Sequence, residues 1–291
     1  MPVDTAGNLV IADPGNNRIR VAAASTGTFY GQPMTAGHIY TVAGNGDGLP
    51  SGDGGPATSA GLTPAGMAVD AAGNLLIADT FNARVVAAST GTFYGQAMTA
   101  GDIYTVAGDG TSGFSGDGGP ATSATLFQPQ GVAADAAGNL LIADTFNQRV
   151  RVVAASTGTF YGQPMTAGDI YTVAGHGNGT GGFSGDGGPA TSANLNNPNA
   201  VAADAAGNLL IADTTNNRIR VVAHGTGTFY GQPMTAGDIY TIAGHARHGF
   251  SGDGGPATSA GLNNPSAVTV NAAGNLLIAD SGDQRIRMVT G

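Results

Sequence analysis

Short apolar runs and clusters of turn residues alternate along the whole chain. In Gly131–Ala174 the order is a small-residue run, Gly131–Asp135 (GVAAD), and then an A-A-G turn. A continuous apolar run follows, Asn139–Asp144 (NLLIAD), and after it an alternating one, Arg149–Ala154 (RVRVVA). Turn residues (STGTFYGQPMTAG) lead to a further run, Asp169–Ala174 (DIYTVA), and a long Gly-rich loop precedes the next unit. Runs of this length, bounded by Gly, Asn, Asp and Pro, predict strands. No segment carries a capped 3.6-residue period, and P-A-T-S-A is the one helical turn expected.

The pattern recurs. G-N-L begins at Gly7, Gly73, Gly138, Gly207 and Gly274, S-G-D-G-G at Ser51, Ser115, Ser184 and Ser251, and T-G-T-F-Y-G-Q at Thr26, Thr90, Thr157 and Thr226. The unit is about 66 residues, and a repeat of this length reads as an array of supersecondary units. Four strands, the first built of small residues, fit a propeller blade whose inner strand lines a crowded axis. A β-solenoid would need a shorter unit. The expected fold is an all-β propeller of five blades within one domain, 1–291. Blade cores fall near 1–44, 66–108, 131–175, 200–244 and 267–291. Met1–Asp4 is the expected inner strand of the first blade. The fifth blade is expected to have three strands, because the chain reaches Arg285–Thr290 without a following I-Y-T-V-A-G run. Its open outer edge is a candidate docking site. A closed five-bladed monomer is the expectation, against an oligomer assembled through that edge or a sixth blade outside this sequence. The second unit is two residues shorter between Asn82 and Ser89 than the third between Asn147 and Ser156, a loss that keeps strand facing.

The strand-turn-strand signature G-N-L-L-I-A-D-T-F-N-Q-R-V-R-V-V resembles the NHL repeat, the blade of NHL-type β-propellers. Its core lies at Asp13-Asn16-Arg18, Asp79-Asn82-Arg84, Asp144-Asn147-Arg149, Asp213-Asn216-Arg218 and Asp280-Asp283-Arg285. The resemblance implies the propeller fold. Family blades are usually shorter and often number six, and some relatives are lyases or hydrolases. The Asp-x-x-Asn-x-Arg turn itself reads as architecture. Its Asp accepts backbone N–H bonds, its Asn tolerates the left-handed region, and its Arg bridges carboxylate and carbonyls.

Composition narrows the function. The chain has no Cys, so it has neither disulfides nor thiolate metal sites. All ten cations are Arg and all nineteen anions Asp, for a net charge of −9. An acidic chain without Lys is a poor partner for nucleic acid and anionic membranes. No apolar run approaches the roughly 20 residues that span a bilayer, and MPVDTAGNLV lacks the regions of a signal peptide. The compartment stays open, as does the reading that this chain is part of a larger or secreted protein. There is no P-loop, dinucleotide fingerprint or Ser-His-Asp spacing.

Three sets of residues are candidates for chemistry. Asp53, Asp117, Asp186 and Asp253 of the S-G-D-G-G loops should share a face with the Asp-x-x-Asn-x-Arg turns and ring the channel mouth there. Such a ring could hold Ca²⁺, or each Asp could simply cap its P-A-T-S-A turn. Tyr30, Tyr94, Tyr161 and Tyr230 of the F-Y-G-Q segments, on the opposite face or rim, could stack on sugars or pack over their hairpin. His176, His245 and His248 could converge on Zn²⁺, or lie solvated in their loops, while His38 and His224 fall elsewhere. Asn178-Gly179-Thr180 is a sequon. Near-identical blades repeat the same residues, whereas a catalytic centre needs different residues in different roles. The leading expectation is a non-enzymatic scaffold or binding module, with a protein or glycan partner and no cofactor. The alternatives are a multivalent carbohydrate binder and a metal-dependent lyase or hydrolase at the loop face.

Overall fold

The computed structural model describes residues 1–177 and 181–290, and the sequon at 178–180 lies outside them. The fold is an all-β propeller of five blades, with only three-residue 3-10 turns besides strands. Blade 1 pairs Leu9–Asp13, Arg18–Ala22 and Ile39–Ala43. Blade 2 runs outward through Pro64–Val69, Leu75–Asp79, Asn82–Val86 and Asp102–Ala107. Blade 3 has Gly131–Ala134, Leu140–Asp144, Arg149–Val153 and Asp169–Ala174. Blade 4 has Pro198–Ala203, Leu209–Asp213, Arg218–Val222 and Asp238–Ala243. Blade 5 stops at three strands, Pro265–Val270, Leu276–Asp280 and Arg285–Val289. The expected inner strand at Met1–Asp4 is reduced to one bridge, Val3 to Leu9.

The continuous L-L-I-A-D run follows from burial on both faces. Successive side chains of a strand point to opposite faces, and each inner blade is sandwiched between two others. Leu141 and Ala143 join Leu209 and Ile211 of blade 4, while Leu140 and Ile142 join Leu76 and Ala78 of blade 2. A fully buried Leu or Ile contributes about 1.5–3 kcal/mol. Four apolar clusters fill the four seams from blade 1 to blade 5. The seam between blade 5 and blade 1 has no such cluster among the described residues. Leu9 and Ile11 of blade 1 are only half-buried, and Ile286 and Met288 of blade 5 are 73% and 57% exposed. The expected closed ring is corrected here: the two terminal blades do not pack on each other as the rest do.

At the axis the inner strands crowd as their small residues suggest. A Cβ on Gly66 would stand 2.1 Å from the Gln130 carbonyl oxygen, and one on Gly131 2.7 Å from that of Asn199. The two-residue loss in blade 2 falls in the turn. Asp79 pairs directly with Asn82 across Thr80 and Phe81, and Thr80 takes a φ of +52°. The turn is shortened, and the strand Asn82–Val86 keeps the five residues of its counterpart Arg149–Val153. Its Arg84 pairs with Ile77 as Arg151 pairs with Ile142, so Arg84 matches Arg151 and not Arg149.

Candidate functional site

Each S-G-D-G-G-P-A-T-S-A segment acts as a strap. It leaves the outer strand of one blade and reaches the next, where the first three straps lie along the outer strand. Gly55-Pro56 pairs with Asp102-Ile103, Gly119-Pro120 with Asp169-Ile170, and Gly188-Pro189 with Asp238-Ile239. The strap Asp is then taken by an Arg of that next blade. Arg151 Nη2 lies 2.7 Å from Asp117 Oδ1, and the guanidinium also donates to the carbonyls of Ser115 at 2.8 Å and Thr125 at 2.9 Å. Arg84 holds Asp53, Arg220 holds Asp186 and Arg287 holds Asp253, at 2.6, 2.6 and 2.7 Å. The Arg within the turn motif has a different task. Arg149, Arg218 and Arg285 lie over Phe114, Phe183 and Phe250, 3.5–3.9 Å from the ring centroids, a cation–π geometry. The residue that bridges is therefore the Arg two positions after the motif.

Straps and turns share one face, as the repeat predicts, but the four strap aspartates do not ring the channel. None lines it, because each is drawn outward to the third strand of its blade. Among the described residues no three of His, Asp or like ligands gather to hold a metal. His176, His245 and His248 are not brought together. His245 Nδ1 accepts from the Arg247 backbone at 3.0 Å, and His248 Nδ1 lies 3.2 Å from the Asn217 amide nitrogen.

Beneath the straps sit the turn aspartates. Asp144 Oδ1 accepts from the Phe127 backbone N–H and Oδ2 from Asn147, both at 2.8 Å, and Arg151 lies 3.9 Å away. Asp213 has the same surroundings, with Asn196, Asn216 and Arg220. Burial outweighs these partners and pushes both carboxyls up to about 6. Unfolded Asp titrates near about 3.9. Between those values the folded protein keeps protons that the unfolded chain has released. These two groups therefore make stability fall as pH rises from about 4 to about 6, with no further change above. A carboxyl-carbon NMR titration is expected to place both midpoints near 6. Midpoints at the ordinary carboxylate value would overturn this.

The opposite face holds the tyrosines. T-F-Y-G-Q forms a tight hairpin, with Phe160 paired to Gln163 and both central residues, Tyr161 (φ +49°) and Gly162 (φ +78°), left-handed, as a type I′ turn requires. Tyr30 and Tyr161 are buried, and Tyr94 and Tyr230 half-buried. Their hydroxyls donate to Asp4, Asp135, Asp70 and Asp204 at 2.8–3.2 Å. Burial, then the adjacent carboxylate, drives all four hydroxyls well above the usual phenol range. In blade 5, where no such hairpin follows, the position of these aspartates is Asn271. All four rings join the apolar clusters between blades, Tyr30 and Tyr161 as buried members and Tyr94 and Tyr230 as half-buried ones.

The repeat motifs hide what the channel offers. A cavity of about 670 Å³ opens along the inner strands of blades 2 to 5. The residue after the inner-strand proline lines it in each blade, and it differs each time: Ala65, Gln130, Asn199 and Ser266. This rim is latched from blade to blade. Gln148 and Asn197 exchange hydrogen bonds across blades 3 and 4, and Asn217 accepts from the Asn264 backbone across blades 4 and 5. Thr145 and Thr214 donate to the Pro198 and Pro265 carbonyls, both at 2.8 Å. The signal in the sequence was variation at this position, Ala, Gln, Asn and Ser, beside motifs that repeat almost unchanged.

The family model for the NHL repeat matches residues 195–222, which cover the inner three strands of blade 4. Among solved structures, the virginiamycin B lyase of Staphylococcus aureus with quinupristin aligns with 99% of this chain and 68% of its own, at 14% identity and a TM-score of 0.48. A nidogen/laminin complex aligns with 98% of this chain and 78% of its own, at 13% identity and a TM-score of 0.49. A putative gluconolactonase aligns with 99% and 74%, at 14% identity and 0.46. At these identities the likeness is one of fold alone. Among curated proteins none matches.

Proposed function

We propose that this chain, an NHL-repeat β-propeller, is a non-enzymatic scaffold that holds a peptide or glycan by hydrogen bonds at the mouth of its channel. One observation carries the reading: in blades of nearly uniform sequence, the rim position differs in every described copy, as Ala65, Gln130, Asn199 and Ser266. Strap, hairpin and central strand are held constant by the contacts they make in each blade. The polar rim residues Gln130, Asn199 and Ser266 are half-buried and face a cavity whose lining includes no ionisable side chain. Amides and a hydroxyl offer donors and acceptors in a fixed arrangement, and such a site suits recognition more than proton transfer.

The test compares the parent with the triple variant Gln130→Ala, Asn199→Ala, Ser266→Ala on peptide and glycan arrays. The substitutions touch no apolar seam, so the melting temperature is expected to hold within about 2 °C. Signals present for the parent and lost by the variant are the expected result. Binding that survives unchanged places the site elsewhere. Tightly bound zinc or calcium in the purified protein, with a chelator-sensitive melting temperature, would favour a metal-dependent lyase or hydrolase instead.

A further inference from the structure

Blade 5 carries a groove that blades 2 to 4 have filled. It lies between the strand Arg285–Val289 and the strap residues Gly252–Ala257, with a volume of about 840 Å³. In blades 2 to 4 the same place holds Asp102–Ala107, Asp169–Ala174 or Asp238–Ala243. Each of those strands pairs inward with the third strand and outward with the Gly-Pro of its strap. In blade 5 the strap is docked, since Arg287 holds Asp253 at 2.7 Å. Its Gly255-Pro256 has no strand beside it, and Arg285–Val289 has a bare edge. Ladder donors and acceptors thus face the groove from both walls.

The rest of that seam is prepared in the same way. Ile219 and Val221 are fully buried against blade 5, whereas Ile286 and Met288, at the same register, are exposed. Gln148 and Asn217 latch onto the next blade, while Gln284, their counterpart, is exposed. On blade 1, Arg20 pairs with Ile11 as Arg151 does with Ile142. It is the strap arginine of a blade without a strap, and it meets no carboxylate among the described residues, whereas Arg84, Arg151 and Arg220 each hold a strap aspartate.

We propose that the groove of blade 5 is a docking site for an extended strand of the pattern D-I-Y-T-V-A, supplied by a further repeat of the same kind. The pattern is dictated by the walls. Four strands of this chain occupy the equivalent place, with Ile, Thr and Ala at fixed register against the third strand. A second copy of this chain is a poor donor. Its four strands of this pattern are already engaged in blades 1 to 4, and its four strap aspartates each hold their own arginine. Strand addition to an open edge derives its affinity from main-chain bonds and its specificity from alternate side chains.

The experiment titrates the parent chain with a synthetic peptide of residues 226–243, which carries the hairpin and the strand. Saturable binding is expected, with the melting temperature raised by about 5 °C at a hundredfold excess over Kd. A peptide carrying Tyr240→Pro is expected to bind at least about tenfold more weakly, because Asp238 turns its carbonyl to the third strand and the Tyr240 N–H, two residues on, faces the same neighbour as a ladder donor. The channel variant Gln130→Ala, Asn199→Ala, Ser266→Ala should bind the peptide like the parent, so the groove and the channel mouth are judged separately. No binding at saturating peptide overturns the proposal. So does equal binding of the Pro peptide, or a stable dimer in light scattering that excludes the peptide, since a second copy would then cover the groove.

Discussion

Arg151→Ala is expected to destabilise the propeller by about 3–5 kcal/mol, whereas Arg20→Ala, at the same place in blade 1, is expected to change stability by less than about 0.5 kcal/mol. Arg151 is fully buried and joins three parts of the chain: the strap through Asp117 and Ser115, the stretch before the inner strand through Thr125, and the turn through Asp144. Its removal leaves the buried Asp144 carboxyl without its guanidinium and the two carbonyls without their donor. Arg20 has no carboxylate partner among the described residues and a buried, unsatisfied Nε, so truncation removes nothing that was made. Urea unfolding of both variants gives the comparison. Equal losses would mean that the strap contacts contribute little and that the arginines matter only as packing.

Ile219→Ala is expected to cost about 2–5 kcal/mol and Ile286→Ala about 0.5 kcal/mol or less. The two side chains share a register, opposite Ala212 and Ala279. Ile219 is buried among Val268, Leu276 and their neighbours, while Ile286 is 73% exposed. Deleting the first leaves a cavity in a packed seam, and deleting the second exposes nothing new. Matched urea titrations measure both. A large loss for Ile286→Ala would show that the face of blade 5 is covered in solution.

Much of the fold was legible because blades repeat. Two-faced burial turns the central strand into an unbroken apolar run, and the crowded axis selects Gly, Ala and Val, so both marks stand in the sequence. The sharing of a face by turns and straps follows from strand direction alone. What stayed hidden depended on neighbours distant in sequence. Asp53 meets Arg84 and Asp117 meets Arg151 across the boundary between repeats, so a reading confined to one unit left those aspartates free for a metal. The motif points to Arg149, yet the guanidinium that bridges belongs to Arg151, and only strand register separates the two. The tyrosines look like free aromatics until Asp4, Asp70, Asp135 and Asp204 are found beneath their hydroxyls. The rim residues escaped notice because attention goes to what repeats, and they are what does not.

The strap has a mechanical consequence. Each one fastens a blade to its immediate predecessor, so a pull on the chain reaches one blade before it is resisted by the next. Such an array resembles a line of coupled units in which cooperativity depends on nearest neighbours. Blade 1 is held from one side only, and so is blade 5. Fraying should start at those two ends and meet growing resistance toward blade 3, whose neighbours on both sides have straps paired to an outer strand, as it does itself. The most durable part of the molecule is thereby its middle.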